Sequence, residues 1–110
     1  MTVEEIAREL GLEVRAGNGL EKTVRRGYCG DLLSDVMARA NERDIWITIQ
    51  THQNIVAVAV LANLSAVIIA GGREPHEDTL ERAKRDGIPI LCTRDSSFEV
   101  AGRLHRILDT

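Results

Sequence analysis

Residues 45–70 read IWITIQTHQNIVAVAVLANLSAVIIA, and they place three apolar runs almost end to end. The first run is rich in β-branched and aromatic residues, and the last reads AVIIA, so each predicts a buried strand. The middle run, IVAVAVLA, fits a buried strand or a buried helix equally well by periodicity. Two parallel buried strands need a crossover between them, and that crossover is usually a helix. We therefore expect residues 55–63 to form a short buried helix.

The same alternation extends toward the amino terminus. Thr2 and Glu5 form a capping-box pattern at the start of a helix that Gly11 ends. Short extended segments follow around residues 17–19, and residues 24–29 are the better strand candidate of the two. A second helix is predicted from Asp31 to about residue 41. Its inward face is expected to hold the apolar residues Leu32, Leu33, Val36, Met37 and Ala40.

The alternation also extends toward the carboxyl terminus. Pro75 suits the first position of a helix that ends near Gly87, and a strand with the sequence IPILCT follows. Ser96 and Glu99 form a second capping-box pattern. The helix that they open is expected to face inward through Phe98, Ala101, Leu104 and Leu108. The prediction is an α/β fold over residues 1–110, with a mainly parallel sheet of about four to five strands and helices in one or two flanking layers.

Composition excludes several classes of function. The net charge is −3, and aromatic residues make up only 3% of the 110 residues. A basic field or a stacking surface for nucleic acid is therefore not expected. No apolar run is long enough to cross a membrane, and acidic residues stand where a signal peptide carries basic ones. These features predict a cytoplasmic protein that binds neither nucleic acid nor membrane.

Polar residues follow each predicted parallel strand, where an open α/β sheet binds its ligands. From the amino-terminal side they include Thr51, His52 and Asn54, then Gly71, Gly72 and Arg73, then Thr93, Ser96 and Ser97. We expect these residues to share one edge of the sheet and to form an anion-binding site. Backbone N–H groups at helix starts and a forked guanidinium are suitable donors for a phosphate or carboxylate.

Each of these segments also has a purely structural explanation. Thr51 or Asn54 can cap the following helix while His52 faces water. Gly71 and Gly72 can supply a tight turn, and Ser96 or Ser97 can cap the last helix. Arg94 and Asp95 can simply be solvated. Both readings remain open from the sequence.

Metal binding and catalysis have less support. Cys29, His52 and Cys92 all fall near predicted strand ends and offer soft ligands, but their spacing matches no metal signature and a fourth ligand is missing. Only His52 could serve as a base for a nucleophile, and neither a nucleophile elbow nor a phosphate-binding P-loop occurs. We therefore expect no cofactor, no metal and no enzymatic activity.

Three blocks of the sequence resemble the DRTGG domain family: GYCGDLLSDVMARA, the segment from IWITIQ to AGGREP, and GIPILCTRDSSFEVAGRL. The pentapeptide that names the family is absent, and AGG at residues 70–72 resembles a remnant of it. The resemblance implies an α/β fold like that of the amino-terminal domain of HPr kinase/phosphorylase. It also implies frequent self-association and a regulatory or ligand-sensing role.

Two functions of different classes follow. The first is a non-catalytic module that binds an anionic metabolite or a nucleotide at the carboxyl ends of the strands. The alternative is a protein-interaction module without a small ligand, either a homodimer or a domain that docks to a metabolic enzyme. The apolar excess of residues 55–70 favours this alternative.

Overall fold

Five strands and five helices alternate along the chain in the computed structural model, which describes residues 1–108. Positions 109 and 110 of the predicted domain lie outside the described residues. The strands are β1 (Glu13–Ala16), β2 (Gly27–Cys29), β3 (Ile45–Thr48), β4 (Ala66–Ile69) and β5 (Ile90–Cys92). The helices are α1 (Val3–Leu10), α2 (Leu33–Arg39), α3 (Asn54–Leu61), α4 (Glu77–Asp86) and α5 (Ser97–Leu108).

The five strands form one sheet in the order β1-β5-β4-β3-β2. Strands β2 to β5 are parallel neighbours, and β1 pairs antiparallel with β5 at one edge. This arrangement confirms the predicted α/β class and the mainly parallel sheet. Because β2 to β5 are parallel neighbours, their carboxyl ends and the loops that leave them lie at the same end of the sheet.

The three elements predicted in residues 45–70 are present, and the helix spans Asn54–Leu61 instead of residues 55–63. Every residue of β3 and β4 is buried, and α3 provides the crossover between these two parallel strands. Helix α3 carries no charged residue, and its buried side is formed by Ile55, Val56, Val58 and Ala59. Val60 and Leu61 at its carboxyl end are exposed. No helix within residues 1–108 has the length and apolar character needed to cross a membrane.

The sheet separates two aliphatic cores and gives the fold three layers. Ile47, Ile68 and Leu91 lie side by side on neighbouring strands and contribute to the core beneath α1 and α5. Trp46, in the adjacent register, contributes to the opposite core, which includes residues of α2, α3 and α4. Alternate residues of a strand point to opposite faces, so fully apolar strands such as these require a helix layer on each side.

Both predicted capping boxes are present. Thr2 Oγ1 accepts from the Glu5 N–H at 3.1 Å, and Glu5 Oε1 accepts from the Thr2 N–H at 2.8 Å. At the last helix, Ser96 Oγ accepts from the Glu99 N–H at 3.2 Å. Gly11 ends α1 with a left-handed backbone (φ 64°), which glycine adopts without strain.

The boundaries near α2 and α4 differ from the prediction. Helix α2 starts at Leu33 instead of Asp31, because the Asp31 carboxylate accepts from the Thr48 hydroxyl and the Ile49 N–H, both at 2.9 Å. Leu32 therefore stays extended and 67% exposed, and Met37 is also exposed. Helix α4 starts two residues after the predicted Pro75, because His76 is still extended.

The prediction that Phe98 faces the core is wrong. Its side chain is 88% exposed. Val100 and Leu104, four residues apart, form the buried stripe of α5 and set the rotation of the helix. A residue two positions before Val100 lies about 200° around the helix, on its outer face. The predicted strand over residues 24–29 is also shorter, since β2 includes only the last three of them.

Candidate functional site

The loop that carries His52 is fastened to its neighbours by its own polar groups. His52 Nδ1 accepts from the N–H of Asn54, the first residue of α3, at 3.1 Å. The Thr51 carbonyl accepts from the Thr79 hydroxyl at 2.8 Å and from the His76 N–H at 3.4 Å. The N-cap residue of α3 is Gln53, which makes no side-chain capping bond, so the capping predicted for Thr51 or Asn54 is not seen. His52 instead accepts from the first N–H of the helix, and its Nδ1 lone pair is engaged within the protein.

The double-glycine turn after β4 is held against the loop after β5. The Gly71 N–H donates to the Asp95 carbonyl at 2.7 Å, and the Gly72 N–H donates to the Thr93 carbonyl at 2.9 Å. Both glycines have a left-handed backbone, with φ of 75° and 69°. A β-carbon at either glycine would meet no atom within 4 Å, so glycine is needed for the backbone conformation rather than for space.

The loop after β5 is also held in place by hydrogen bonds, both within the loop and to α5. Thr93 Oγ1 accepts from the Asp95 N–H at 3.1 Å, and the Asp95 carboxylate accepts from Arg103 on α5. Arg103 also donates to the Leu10 carbonyl at the end of α1, at 3.0 Å. The carboxyl end of the first helix is thereby joined to the loop that leads into the last one.

A polar cleft of about 720 Å³ opens between these two loops. The start of β1 and the end of α1 complete its walls, because antiparallel pairing places Glu13 beside Cys92. The β4–α4 loop leads to one face of the sheet and the β5–α5 loop leads to the other. The crevice between diverging loops of this kind is where open α/β sheets bind their ligands.

The charges around this cleft are unevenly paired. Arg15 contacts Glu74 at 2.6 Å and Glu13 at 3.5 Å, and Arg103 contacts Asp95 at 2.5 Å. The hydrogen bond to Glu74 raises the pKa of Arg15 further above its ordinary value. Two other arginines, Arg73 and Arg94, line the cleft and make no hydrogen bond or ion pair within residues 1–108. Two of the arginines that line the cleft are therefore exposed and have no protein acceptor among the described residues.

Comparison with known protein families identifies the family of this chain. The family model of the DRTGG domain matches residues 5–107. The chain belongs to the DRTGG domain family. A comparison with curated protein sequences found no similar protein.

Among the solved structures that match, one is similar over nearly the whole chain. It contains the CBS and DRTGG domains of the regulatory region of Clostridium perfringens pyrophosphatase, complexed with the activator diadenosine tetraphosphate. The TM-score is 0.70 at 23% sequence identity, and the alignment covers 94% of this chain and 45% of that chain. At this identity the similarity shows a shared fold, and this chain spans less than half of the matched one.

The DRTGG domain brings together only part of the site predicted from the sequence. Gly71, Gly72, Arg73 and Thr93 line the cleft. The loop with Thr51, His52 and Asn54 lies on the same edge of the sheet but packs toward α4, where the His52 and His76 rings are 6.0 Å apart. Ser96 and Ser97 open α5 beside the cleft without lining it.

Sequence reasoning missed the cleft residues Arg94, Arg103 and Glu13. Arg94 gives no signal that separates it from a solvated loop arginine. Arg103 lies on the helix opened by the predicted capping box, and Glu13 reaches the cleft only through the antiparallel pairing of β1. No local sequence pattern predicts that pairing, because it joins residues that are far apart in the chain.

The two thiols do not form a shared site. Cys29 lies in register with Ile47 and points to the α1–α5 side, whereas Cys92 contributes to the opposite core. Three strand spacings separate them, which is roughly 14 Å. Burial raises the pKa of Cys92 to about 11 and raises the pKa of Cys29 above its ordinary value, so neither thiol is activated. Residues 1–108 contain no cluster of three or more His, Cys, Asp or Glu side chains that could hold a metal ion.

Proposed function

We propose that this DRTGG domain is a non-catalytic ligand-sensing module that binds a phosphate-bearing metabolite or nucleotide in the cleft between the loops after β4 and β5. The observation that carries the proposal is the pair Arg73 and Arg94, two residues that line the cleft and whose side chains have no protein acceptor within residues 1–108. A guanidinium donates two parallel hydrogen bonds to a phosphate or carboxylate, and these charge-assisted bonds are stronger than neutral ones.

The size and position of the cleft also support a small-molecule ligand. Its volume of about 720 Å³ falls within the range of ordinary ligand pockets, roughly 300–1,000 Å³. The double-glycine turn and the loop after β5 are held by mutual hydrogen bonds, so the cleft walls are formed before a ligand arrives. A preformed wall lowers the entropy cost of binding. The regulatory region of Clostridium perfringens pyrophosphatase, which shares this fold, was solved with a polyphosphate dinucleotide.

The non-catalytic part of the proposal is supported by the state of the reactive groups. Both thiols have raised pKa values, which keep them protonated near neutral pH. The Nδ1 of His52 accepts a backbone hydrogen bond, so this nitrogen is not available to take a proton from a substrate.

A thermal-shift titration tests this function. The panel consists of inorganic phosphate, pyrophosphate, AMP, ATP and diadenosine tetraphosphate, with adenosine as the uncharged member. A ligand at a hundred times its dissociation constant adds about 2.7 kcal/mol to the unfolding free energy. We expect at least one of the anions to stabilise the domain and adenosine to have no effect.

Matched variants separate binding in the cleft from general attraction of anions. The double variant Arg73→Gln/Arg94→Gln is expected to remove the stabilisation. Arg26→Gln is the control, because Arg26 is an exposed arginine next to β2 at the opposite end of the strands. Equal stabilisation in all three proteins, or none by any anion in the unmodified domain, contradicts the proposal.

A second candidate function is the interaction module. Val60, Leu61 and Phe98 are exposed large hydrophobic side chains, which is the observation that favours a homodimer or docking to a metabolic enzyme. Self-association that persists while every anion in the panel fails to bind would favour this function over ligand sensing.

A further inference from the structure

Arg15 lies at a β-bulge beside the cleft. Val14 pairs with Leu91, and Ala16 pairs with Ile90. Arg15 is the extra residue between these two pairs, and it has no partner in β5. A bulge bends its strand and re-aims a side chain, and bulges are frequent next to functional sites. Here the side chain of Arg15 extends from the edge strand β1 to the loop after β4, which forms one wall of the cleft.

The guanidinium of Arg15 lies directly behind three residues that line the cleft. Its Nη1 donates to the Glu74 carboxylate at 2.6 Å, and its Nε is 3.5 Å from the Glu13 carboxylate. The thiol of Cys92, a third cleft residue, lies beside the same guanidinium. The Arg15 side chain is 25% exposed, whereas those of Glu13 and Glu74 are 69% and 73% exposed. The two carboxylates therefore lie on the solvent side of the guanidinium.

The contacts of Arg15 with the two glutamates are weaker than those that a phosphate can make. Each carboxylate makes a single contact, and the contact with Glu13 is long. A phosphate group accepts two parallel, charge-assisted hydrogen bonds from one guanidinium. It also carries a charge of about −1.5 to −2 near neutral pH, whereas a carboxylate carries a single negative charge. Because Glu74 is exposed, its ion pair with Arg15 contributes little to stability, and a ligand can displace it at small cost.

We propose that Arg15 is a third ligand-binding arginine of the cleft, and that the Glu74 carboxylate holds its place until a phosphoryl group displaces it. This inference rests on the proposed function. One phosphoryl group of the ligand binds at Arg73 and Arg94, and a second binds at Arg15. Glu74 directly follows Arg73, and consecutive Cα atoms are about 3.8 Å apart, so the two subsites are neighbours. The ligand class is therefore a metabolite with two or more linked phosphoryl groups.

The Glu74 carboxylate makes the cleft selective for such ligands. A single phosphate is bound by Arg73 and Arg94 and leaves the contact between Arg15 and Glu74 intact. A ligand with a second phosphoryl group displaces the carboxylate, which would otherwise repel it, and gains the Arg15 guanidinium in exchange. Discrimination against the smaller anion then comes from an unfavourable contact as well as from a favourable one.

Isothermal titration calorimetry with inorganic phosphate and with pyrophosphate tests this assignment. Arg15→Gln should weaken pyrophosphate binding by about tenfold or more, because charge-assisted hydrogen bonds to the second phosphoryl group are lost. The same variant should change phosphate binding by less than about threefold, since a single phosphate does not use Arg15. Glu74→Gln should strengthen pyrophosphate binding by roughly five- to tenfold, because no carboxylate then competes for the guanidinium. In the Arg15→Gln background, Glu74→Gln should have almost no effect.

Glu13→Gln is the matched control for the loss of a negative charge. Glu13 is a similarly exposed glutamate that lines the same cleft, and its contact with Arg15 is the longer one, at 3.5 Å. This variant should strengthen pyrophosphate binding less than Glu74→Gln does. Circular dichroism checks that each variant is folded. Arg15→Lys, which keeps the charge without the forked donors, replaces Arg15→Gln should that variant not fold.

The outcomes separate this inference from the function on which it rests. Glu74→Gln that strengthens pyrophosphate binding equally with and without Arg15 shows general repulsion, and it overturns the inference while the proposed function stands. Equal strengthening by Glu13→Gln and Glu74→Gln overturns it in the same way, as does Arg15→Gln that binds pyrophosphate like the unmodified domain. Failure of both anions to bind either the unmodified domain or Glu74→Gln contradicts the inference and the proposed function together.

Discussion

Two glycines in equally open surroundings are expected to respond to alanine in opposite directions. Gly72 has φ of 69° in the turn after β4, and Gly102 lies inside α5, yet a β-carbon meets no atom within 4 Å at either position. Sterics with other residues therefore contribute nothing to either substitution. Only the backbone conformation distinguishes the two sites.

The expected magnitudes follow from that difference. An L-residue in the left-handed region costs roughly 1–2 kcal/mol, partly offset by the lower entropy of the unfolded chain, so Gly72→Ala should destabilise by about 1 kcal/mol. Gly102→Ala should stabilise by roughly 0.8–1.0 kcal/mol through helix propensity. In a domain of this size, 1 kcal/mol shifts the melting temperature by roughly 4–8 °C.

Thermal unfolding followed by circular dichroism at low micromolar concentration provides the measurement. Gly72→Asn is the internal control, because asparagine tolerates the left-handed region better than alanine and should lose less stability. Shifts of the same sign for Gly72→Ala and Gly102→Ala would refute the reasoning, since they would show that backbone conformation does not decide the outcome.

Two further predictions concern buried groups. Arg25→Ala should destabilise by about 1–3 kcal/mol in urea denaturation, because the Asp44 side chain is 3% exposed and loses the guanidinium that contacts it at 3.0 Å. The exposed Arg8→Ala should change stability little. A loss no larger than that of Arg8→Ala would contradict this. Cys92 has a folded-state pKa raised from 9.0 to about 11, so its contribution is complete below pH 9 and is lost as the pH rises to about 11. The stability difference between the unmodified domain and Cys92→Ala should shrink over that interval, and a constant difference would contradict the raised pKa.

The parts of the fold that sequence predicts well have local causes or follow from the way parallel strands must be connected. The capping boxes at Thr2 and Ser96 are formed within four residues, and the helix at residues 55–63 follows from the need to join two parallel strands. The prediction that Phe98 faces the core is wrong because Val100 and Leu104, by packing against the sheet, set the rotation of α5. A capping pattern identifies where a helix begins, and it carries no information about which face meets the core.

The site residues also fall into a part that the sequence predicts and a part that it does not. The rule that parallel strands end at one edge correctly brought Gly71, Gly72, Arg73 and Thr93 together. It could not separate the cleft from the His52 loop, because that separation depends on how Thr51 packs against Thr79 in α4. Nor could it find Glu13, which reaches the cleft through the pairing of β1 with β5. Contacts between distant segments are set by tertiary packing, which single residues do not reveal.

The most direct test of the central claim is an amide-resolved NMR titration with ATP, read for both the backbone and the arginine side chains. Binding between the loops after β4 and β5 predicts chemical-shift changes at residues 71–74 and 93–95 and at the Arg73 and Arg94 Nε–H groups. Residues 51–54 should change much less, and Arg26 should not change. Shifts centred on His52 with the two arginines unaffected, or no shifts at any ATP concentration, would contradict the account.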